Sequence, residues 1–541
     1  MMFACGVYQS WSGVFYCYKA RHVHLTNSAI GFGESDKFGL EGLANRGNRK
    51  HYQIPEGSKM ARWIPAFLYV GAAISPMPTA FFANRVQRKS IIIASVIPFY
   101  LSWIVLFLPF DSFKFVLSRL IGGIGIGVLY TICPLYLQDI VSSRNNKYRY
   151  DFHVKQAMFG LGMLYTNVVN SCFSTTFTYT LHFAVPVTGF LVFCVMPNSA
   201  HSLVLMGREK LAQLTVLEMR KHGNFDEALE EFREIRKKAL NKMKELRKYN
   251  FFEANVNLLK HRAGRNILSI STCLTFFQQM TGFTLLIAVL GVFSESLMPR
   301  IDCRYLPICF SVTCTYISIL SILFLNKVSR KLLMVVSNIG IFFSLGYITI
   351  LASLQAKGII IPKGYEWTIF AAFSMYGAMY SLGMGPLPDE FSAIVAPIEM
   401  SAEISGIQTQ LLTVIILIVF LIDNAHNIAA MYIFLTFTIS ATVFVSVFVP
   451  ETVNLTREEL SSTLMKSKSI FSKDPSQRLG TILIKYIKKQ SKQEKEKPVD
   501  SDEAKMKKEE FILREIAKPR HPSGRFIEKE TTTQTKIRNF F

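Results

Sequence analysis

Apolar stretches of about 20 residues recur along the chain between short polar intervals, the length an α-helix needs to cross a hydrocarbon layer roughly 30 Å thick. They lie at 3–18, 63–83, 90–110, 115–137, 156–177 and 178–196, and, after a polar interval, at 267–293, 305–325, 332–354, 367–391, 405–422 and 428–449. The pattern predicts an all-α membrane protein of twelve transmembrane helices in two six-helix bundles. It divides the chain into a first bundle over 1–196, a helical linker over 197–265, a second bundle over 266–453 and a basic tail over 454–541. The first run is short and begins at residue 3. Lacking a basic leading segment and a small-residue cleavage site, it reads as a truncated first helix rather than a removable leader.

Composition agrees with this reading. Half of the 541 residues are hydrophobic, 44 are Phe, and the mean hydropathy is +0.28, more apolar than a soluble core can hide. The net charge of +22 raises the question of nucleic acid. The basic residues, however, stand in blocks between the apolar runs and in the tail, a distribution that orients a chain in a membrane and argues against a nucleic-acid partner. Arg85, Arg88 and Lys89 follow the second run, Arg144, Lys147 and Arg149 the fourth, and Lys327, Arg330 and Lys331 the eighth. These loops, the linker and the C-terminus are therefore expected in the cytoplasm, and the long basic interval after the first run outside, since long loops translocate regardless of charge. The nine cysteines form neither a metal-binding spacing nor a disulfide framework.

The two sets of six contain a repeat. ANRVQRKS after the second run and LNKVSRKL after the eighth align Asn84, Val86, Arg88 and Lys89 with Asn326, Val328, Arg330 and Lys331. The fourth run ends in CPLYLQDI and the tenth in GPLPDEF, each with proline inside an apolar helix. Repeats of six helices build rocking-bundle transporters, with the solute site near the midplane between them. Enzymatic catalysis has no supporting motif.

Several ordered motifs carry a family resemblance. Arg119, Gly123 and Gly127 precede Pro134, Tyr136 and Asp139; Gln156 precedes Gly162; Pro197 and Ser199 precede Gly207 and Arg208. Further on come Gln278, Gln279, Thr281 and Gly282, then Gly383, Gly385, Pro386, Pro388 and Pro397, and finally PETVNLTREEL at 450–460. Together they resemble the sugar porters of the major facilitator superfamily, most closely the insect trehalose and hexose facilitators.

The resemblance implies facilitated diffusion of a trehalose or hexose, without a cofactor, across the plasma membrane. It implies that Gln156, Gln278 and Gln279 contact the sugar, with Thr284 where the family has an asparagine and Asp389 where it has a tryptophan. Arg88, Lys89, Arg119, Asp139, Arg330, Lys331, Pro386, Pro388 and Glu451 fall at gating or conformational positions. An amide suits a sugar because it both donates and accepts without charge; interhelical packing is the blander use of the same residues. Asp389 and Glu390 admit proton coupling or a cationic solute on one side, and exposure to a wet vestibule on the other. The family's inner-gate glutamate falls at Ile394 and its arginine partner at Ser401, which predicts a weakened inner gate. In the tail, Leu479, Ile482, Leu483 and Tyr486 share a helical face beside Lys485, Lys488 and Lys489, which suits an anionic lipid surface. Two other functions stay open: a proton-coupled porter of another small polar solute, and a sugar sensor that does not transport.

Overall fold

A computed structural model describes residues 57–107, 112–140, 151–173, 175–220, 225–248, 253, 262–298, 301–302, 304–324, 328–357, 364–395, 400–425 and 427–449. The first apolar run, Asn326, Glu451 and the stretch of the tail expected to suit a lipid surface lie outside them. The chain divides into compact units Met1–Leu483 and Ile484–Phe541, and every described element belongs to the first.

Every regular element among the described residues is helical. The first bundle contains α1 (Gly57–Ile74), α2 (Pro76–Ala83), α3 (Arg88–Ala94), α4 (Val96–Leu106), α5 (Ser112–Ile140), α6 (Asp151–Cys172) and α7 (Thr175–Val195). The linker forms α8 (Ala200–Leu205), α9 (Glu209–Met219) and α10 (Phe225–Lys248). The second bundle contains α11 (Arg262–Met280), α12 (Phe283–Leu297), α13 (Tyr305–Phe324), α14 (Arg330–Ala356), α15 (Tyr365–Met379), α16 (Leu387–Val395), α17 (Ser401–Ala425) and α18 (Asn427–Phe448). These elements account for eleven of the twelve expected spans. Large apolar side chains such as Leu323, Phe343, Ile350 and Val447 stand exposed on the outside of the bundles, as a lipid-facing surface requires.

Four runs that read as continuous are each divided between helices; 63–83 and 90–110 divide at Ser75 and Ser95, and the two in the second bundle divide beside the solute site. The run 267–293 divides into α11 and α12 at Gly282, whose φ of +85° is left-handed, a conformation glycine adopts without steric cost. A Cβ at Gly282 would also lie 2.7 Å from the Phe434 ring. The run 367–391 divides at a π-turn, Tyr380–Met384, followed by Pro386. The Gly385 amide there donates back to the Tyr380 carbonyl at 2.8 Å. Pro386 and Pro388 have no N–H to continue the ladder, so backbone acceptors are freed in the middle of the bundle.

Close backbone approach holds the first bundle together, for α1 packs along α5. A Cβ on Gly123 would lie 2.0 Å from the Leu68 carbonyl oxygen, so only glycine admits this contact. The halves meet along two seams, α6 against α13, and α17 against α1, α2 and α5. The linker helices carry a small core of their own, in which Leu203, Val204, Val216 and Phe232 are buried.

Candidate solute site between the two halves

The ends of the bundle differ. Loops 84–88 and 328–329, the linker and the N-termini of α6, α11 and α17 lie at one end, called here the basic end. Between the halves, toward the middle, lies a cavity of about 60 Å³, with room for several waters. The structure brings four of the five sequence-predicted solute residues to it from three helices: Gln156 from α6, Gln278 and Gln279 from the last turn of α11, and Asp389 from α16. The fifth, Thr284, arrives from the start of α12, and Phe159, Phe283 and Tyr380 complete much of the wall.

The broken helices explain how the glutamines are held. Gln278, buried, donates through Nε2 to the Gly385 carbonyl at 2.7 Å, one of the acceptors beside Pro386. Thr284 Oγ1 donates to Gln279 Oε1 at 2.7 Å, tying the two sides of the Gly282 break together. Thr281 Oγ1 donates to the Gln278 carbonyl at 2.7 Å, and the Tyr376 hydroxyl to the Thr281 carbonyl at 3.0 Å. These bonds fix each amide in one orientation and leave the rest of its capacity open. Among the described residues the Gln156 amide, Gln278 Oε1 and Gln279 Nε2 make no hydrogen bond. Phe283 lies flat against Tyr380, with ring centroids 3.6 Å apart and planes 8° from parallel. Phe283, at the start of α12, and Tyr380, in the π-turn, thus present a stacked aromatic pair to the cavity.

Asp389 does not simply face a wet vestibule. It is ion-paired with Lys155, from α6 of the other half. The Lys155 ammonium also lies 5.7 Å from the ring centroids of Tyr130 and Phe152. Glu390 turns away from the cavity and pairs with Arg330 at 2.7 Å, its side chain only 3% exposed. Arg88 pairs with Asp139 at 2.6 Å and donates to the Leu135 carbonyl at 3.0 Å. The two pairs echo each other: in each half, the arginine of the internal loop motif holds a carboxylate four or five residues beyond the proline of the corresponding run.

The expected loss of inner-gate charges takes a different form. Glu390 supplies a carboxylate one helical turn before Ile394, and Glu403 supplies another two residues after Ser401. Glu403 Oε1 accepts from Lys242 Nζ of α10 at 2.8 Å and from Asn84 Nδ2 at 3.0 Å. This buried knot joins the linker, the first half and the second half. Gln138 Nε2 donates to the Ala393 carbonyl at 3.1 Å, and Ser405 Oγ to that of Thr131 at 2.8 Å. The basic end is therefore tied across the halves by other residues than the family's. At the opposite end Asn167 Nδ2 donates to the Pro307 carbonyl at 2.9 Å and to Ser311 Oγ at 3.2 Å.

The remaining predicted residues fall around this frame. Lys89 donates to the Cys194 and Met196 carbonyls at 2.9 and 2.7 Å, a cation at the negative end of α7. Arg119 is buried in α5 one turn before Gly123; it and Lys331, beside Arg330 on α14, line neither this cavity nor its neighbour toward the basic end. Pro386 and Pro388 stand buried at the break they cause. Lys155, Lys242 and Glu403 were not singled out from the sequence. The sequence carries a signal for Lys155: the predicted apolar run begins at Gln156, whereas α6 begins at Asp151, and a lysine inside a span marks function by default.

Two helical bundles related by an internal repeat, enclosing a polar cavity at their interface, define a membrane transporter scaffold. Residues 35–464 match the family described as "Sugar (and other) transporter", and the chain belongs to that family as a multi-pass membrane protein. The facilitated trehalose transporter Tret1 of Drosophila willistoni is 22% identical over 412 residues, 75% of this chain and 46% of the relative. That of Anopheles gambiae is 21% identical over 452 residues, 82% and 55% of the respective chains. The chain thus spans about half the length of the curated relatives it matches. Among solved structures, the proton:xylose symporter XylE bound to 6-bromo-6-deoxy-D-glucose superposes with a TM-score of 0.61 at 19% identity, covering 85% of this chain and 98% of that one. The inward-open xylose transporter XylE from E. coli gives 0.55 at 16% identity, covering 85% and 99%. These likenesses show the major facilitator fold.

Proposed function

We propose that the chain moves a neutral sugar, trehalose or a hexose, across the plasma membrane by facilitated diffusion, the cavity opening alternately to either side. The observation that carries this reading is the set of uncommitted amide groups on Gln156, Gln278 and Gln279 around a cavity between the repeated halves, those of Gln278 and Gln279 oriented by hydrogen bonds to Gly385 and Thr284. Each can exchange water for a sugar hydroxyl as donor or acceptor. A handful of such bonds at about 1 kcal/mol each corresponds to a Kd on the order of 1 mM, weak enough for the sugar to leave on the far side. The cavity, about 60 Å³, has room for only a few waters, so loading requires the halves to part. The basic end faces the cytoplasm with the C-terminus, and the basic tail rests on anionic lipid. No bond of the solute is broken, and no cofactor takes part. Pairing of Asp389 with Lys155 favours the facilitator over a proton-coupled porter, because the carboxylate has a resident countercharge.

Uptake of radiolabelled trehalose and glucose into proteoliposomes, with and without a pH gradient, tests the proposal. Saturable uptake indifferent to the gradient is expected. Dependence on the gradient would transfer the assignment to a proton-coupled porter, and binding without flux to a sensor.

A further inference from the structure

A second cavity of about 60 Å³ lies in the same cleft, on the basic-end side of the first. Four helices pass both cavities in a consistent order. On α17, Ile416 lines the solute cavity, Leu412 lines both, and Gln408 lines the second. From the break between α15 and α16 onward, Gly385 lines the first, Asp389 both, and Ser392 the second. On α6, Lys155 lines both while Gln156 and Phe159 line the first; on α5, Tyr130 lines both while Gln138 lines the second. The shared residues are thus one layer across the cleft, and its two charged members come from opposite halves and are ion-paired.

We propose that Lys155 and Asp389 form the inner gate of the solute cavity, a layer that must separate before solute reaches the basic end; this rests on the transport reading above. The Tyr130 and Phe152 rings beside the ammonium complete the barrier. Rings attract a cation wherever it lies over their faces, so Lys155 keeps partners on its own half when Asp389 withdraws. Asp389 is carried by the short helix beyond the Pro386 break, which can pivot without dragging α15. Gln156 adjoins Lys155 in sequence and lines the solute cavity, so occupancy of the site is felt at the gate.

The test uses the full-length chain in vesicles of both orientations, with Ile416→Cys as reporter inside the solute cavity and the native chain as background. A membrane-impermeant thiol reagent applied at the basic end is expected to label the reporter slowly. In Asp389→Asn or Lys155→Met backgrounds labelling should accelerate about tenfold or more, and the exchange Lys155→Asp with Asp389→Lys should return it to the slow rate. Equal labelling in all backgrounds overturns the gate, as does an exchange variant that folds and labels as fast as the single ones. If a single variant fails to fold, the exchange variant compared with Lys155→Arg decides the matter. The readout needs no sugar, so failed uptake by the native chain overturns the transport reading while leaving the gate result to stand or fall separately.

Discussion

The knot at Glu403 yields a prediction whose sign and size follow from burial. Lys242 and Glu403 have side chains only 5% and 3% exposed, and the carboxylate accepts from both Lys242 and Asn84 through one oxygen. Replacing Lys242 by Met leaves an anion buried beside one neutral amide. Removing one partner of a buried pair costs about 3–5 kcal/mol. That cost falls on the closed basic end alone, because water reaches Glu403 once the end opens. The closed-to-open ratio should then drop by roughly 150- to 5,000-fold. Changing Glu403 to Gln in the Lys242→Met background removes the stranded charge and keeps an acceptor for Asn84, so the double variant should return most of the way. Thr409→Cys, lining the cavity nearer the basic end, reports the shift through its labelling by an impermeant thiol reagent. Native-rate labelling in Lys242→Met, or a double variant as fast as the single one, would refute the reasoning. Such non-additivity is what residues in direct contact produce.

Gln156→Ala should raise the KM for sugar uptake by about fivefold, the worth of one neutral hydrogen bond, without lowering thermal stability, since that amide bonds no described residue. Gln278→Ala should cost about 1–3 kcal/mol of stability as well, because it strands the buried Gly385 carbonyl; a melting curve in detergent separates the two variants. Gly282→Ala combines a left-handed φ of +85° with a 2.7 Å approach to Phe434, and a loss of about 1–3 kcal/mol should appear in the same melting curve. Gly123→Val must force α1 from α5, since even a Cβ would lie 2.0 Å from Leu68 O; a loss of about 3 kcal/mol or more should show as poor recovery of monodisperse protein.

The architecture was legible because hydrophobic length and loop charge are properties of the chain itself. The lining of a cavity by Gln156, Gln278 and Gln279 was legible because an amide in an apolar run has few uses. What escaped was local geometry and partnership. Neither break could be placed from hydropathy, because Gly282 and the Tyr380–Met384 turn leave the apolar count of their spans unchanged. Phe283 and Tyr380 read as ordinary span residues until the two breaks brought them face to face. Glu403 is a lone acid at the start of an apolar helix, and nothing near it in sequence announces Lys242, 161 positions away. The weakened gate was inferred from Ile394 and Ser401 alone; displacing a carboxylate by one turn leaves it on the same helix face, a substitution that position-by-position comparison counts as a loss.

In the alternating access proposed above, the two kinds of ion pair divide the work. Arg88 with Asp139 and Arg330 with Glu390 each join elements of one half, so both charges of each pair stay enclosed whichever end is open. Lys155 with Asp389, and Lys242 with Glu403, join elements that must part. Burying a pair costs desolvation that its attraction repays only about evenly; when the halves separate, both charges regain water together and the net cost of opening is small. A mutation that removes one charge has no such compensation, because its partner stays dry while the end is closed. The same pair is thus inexpensive to open and expensive to break by substitution. The Asp389 side chain is 28% exposed against 3% for Glu403, so the cavity pair is the less desolvated of the two. Opening from the basic end should therefore begin with water already beside Asp389, and the Glu403 knot should be the slower of the two to yield.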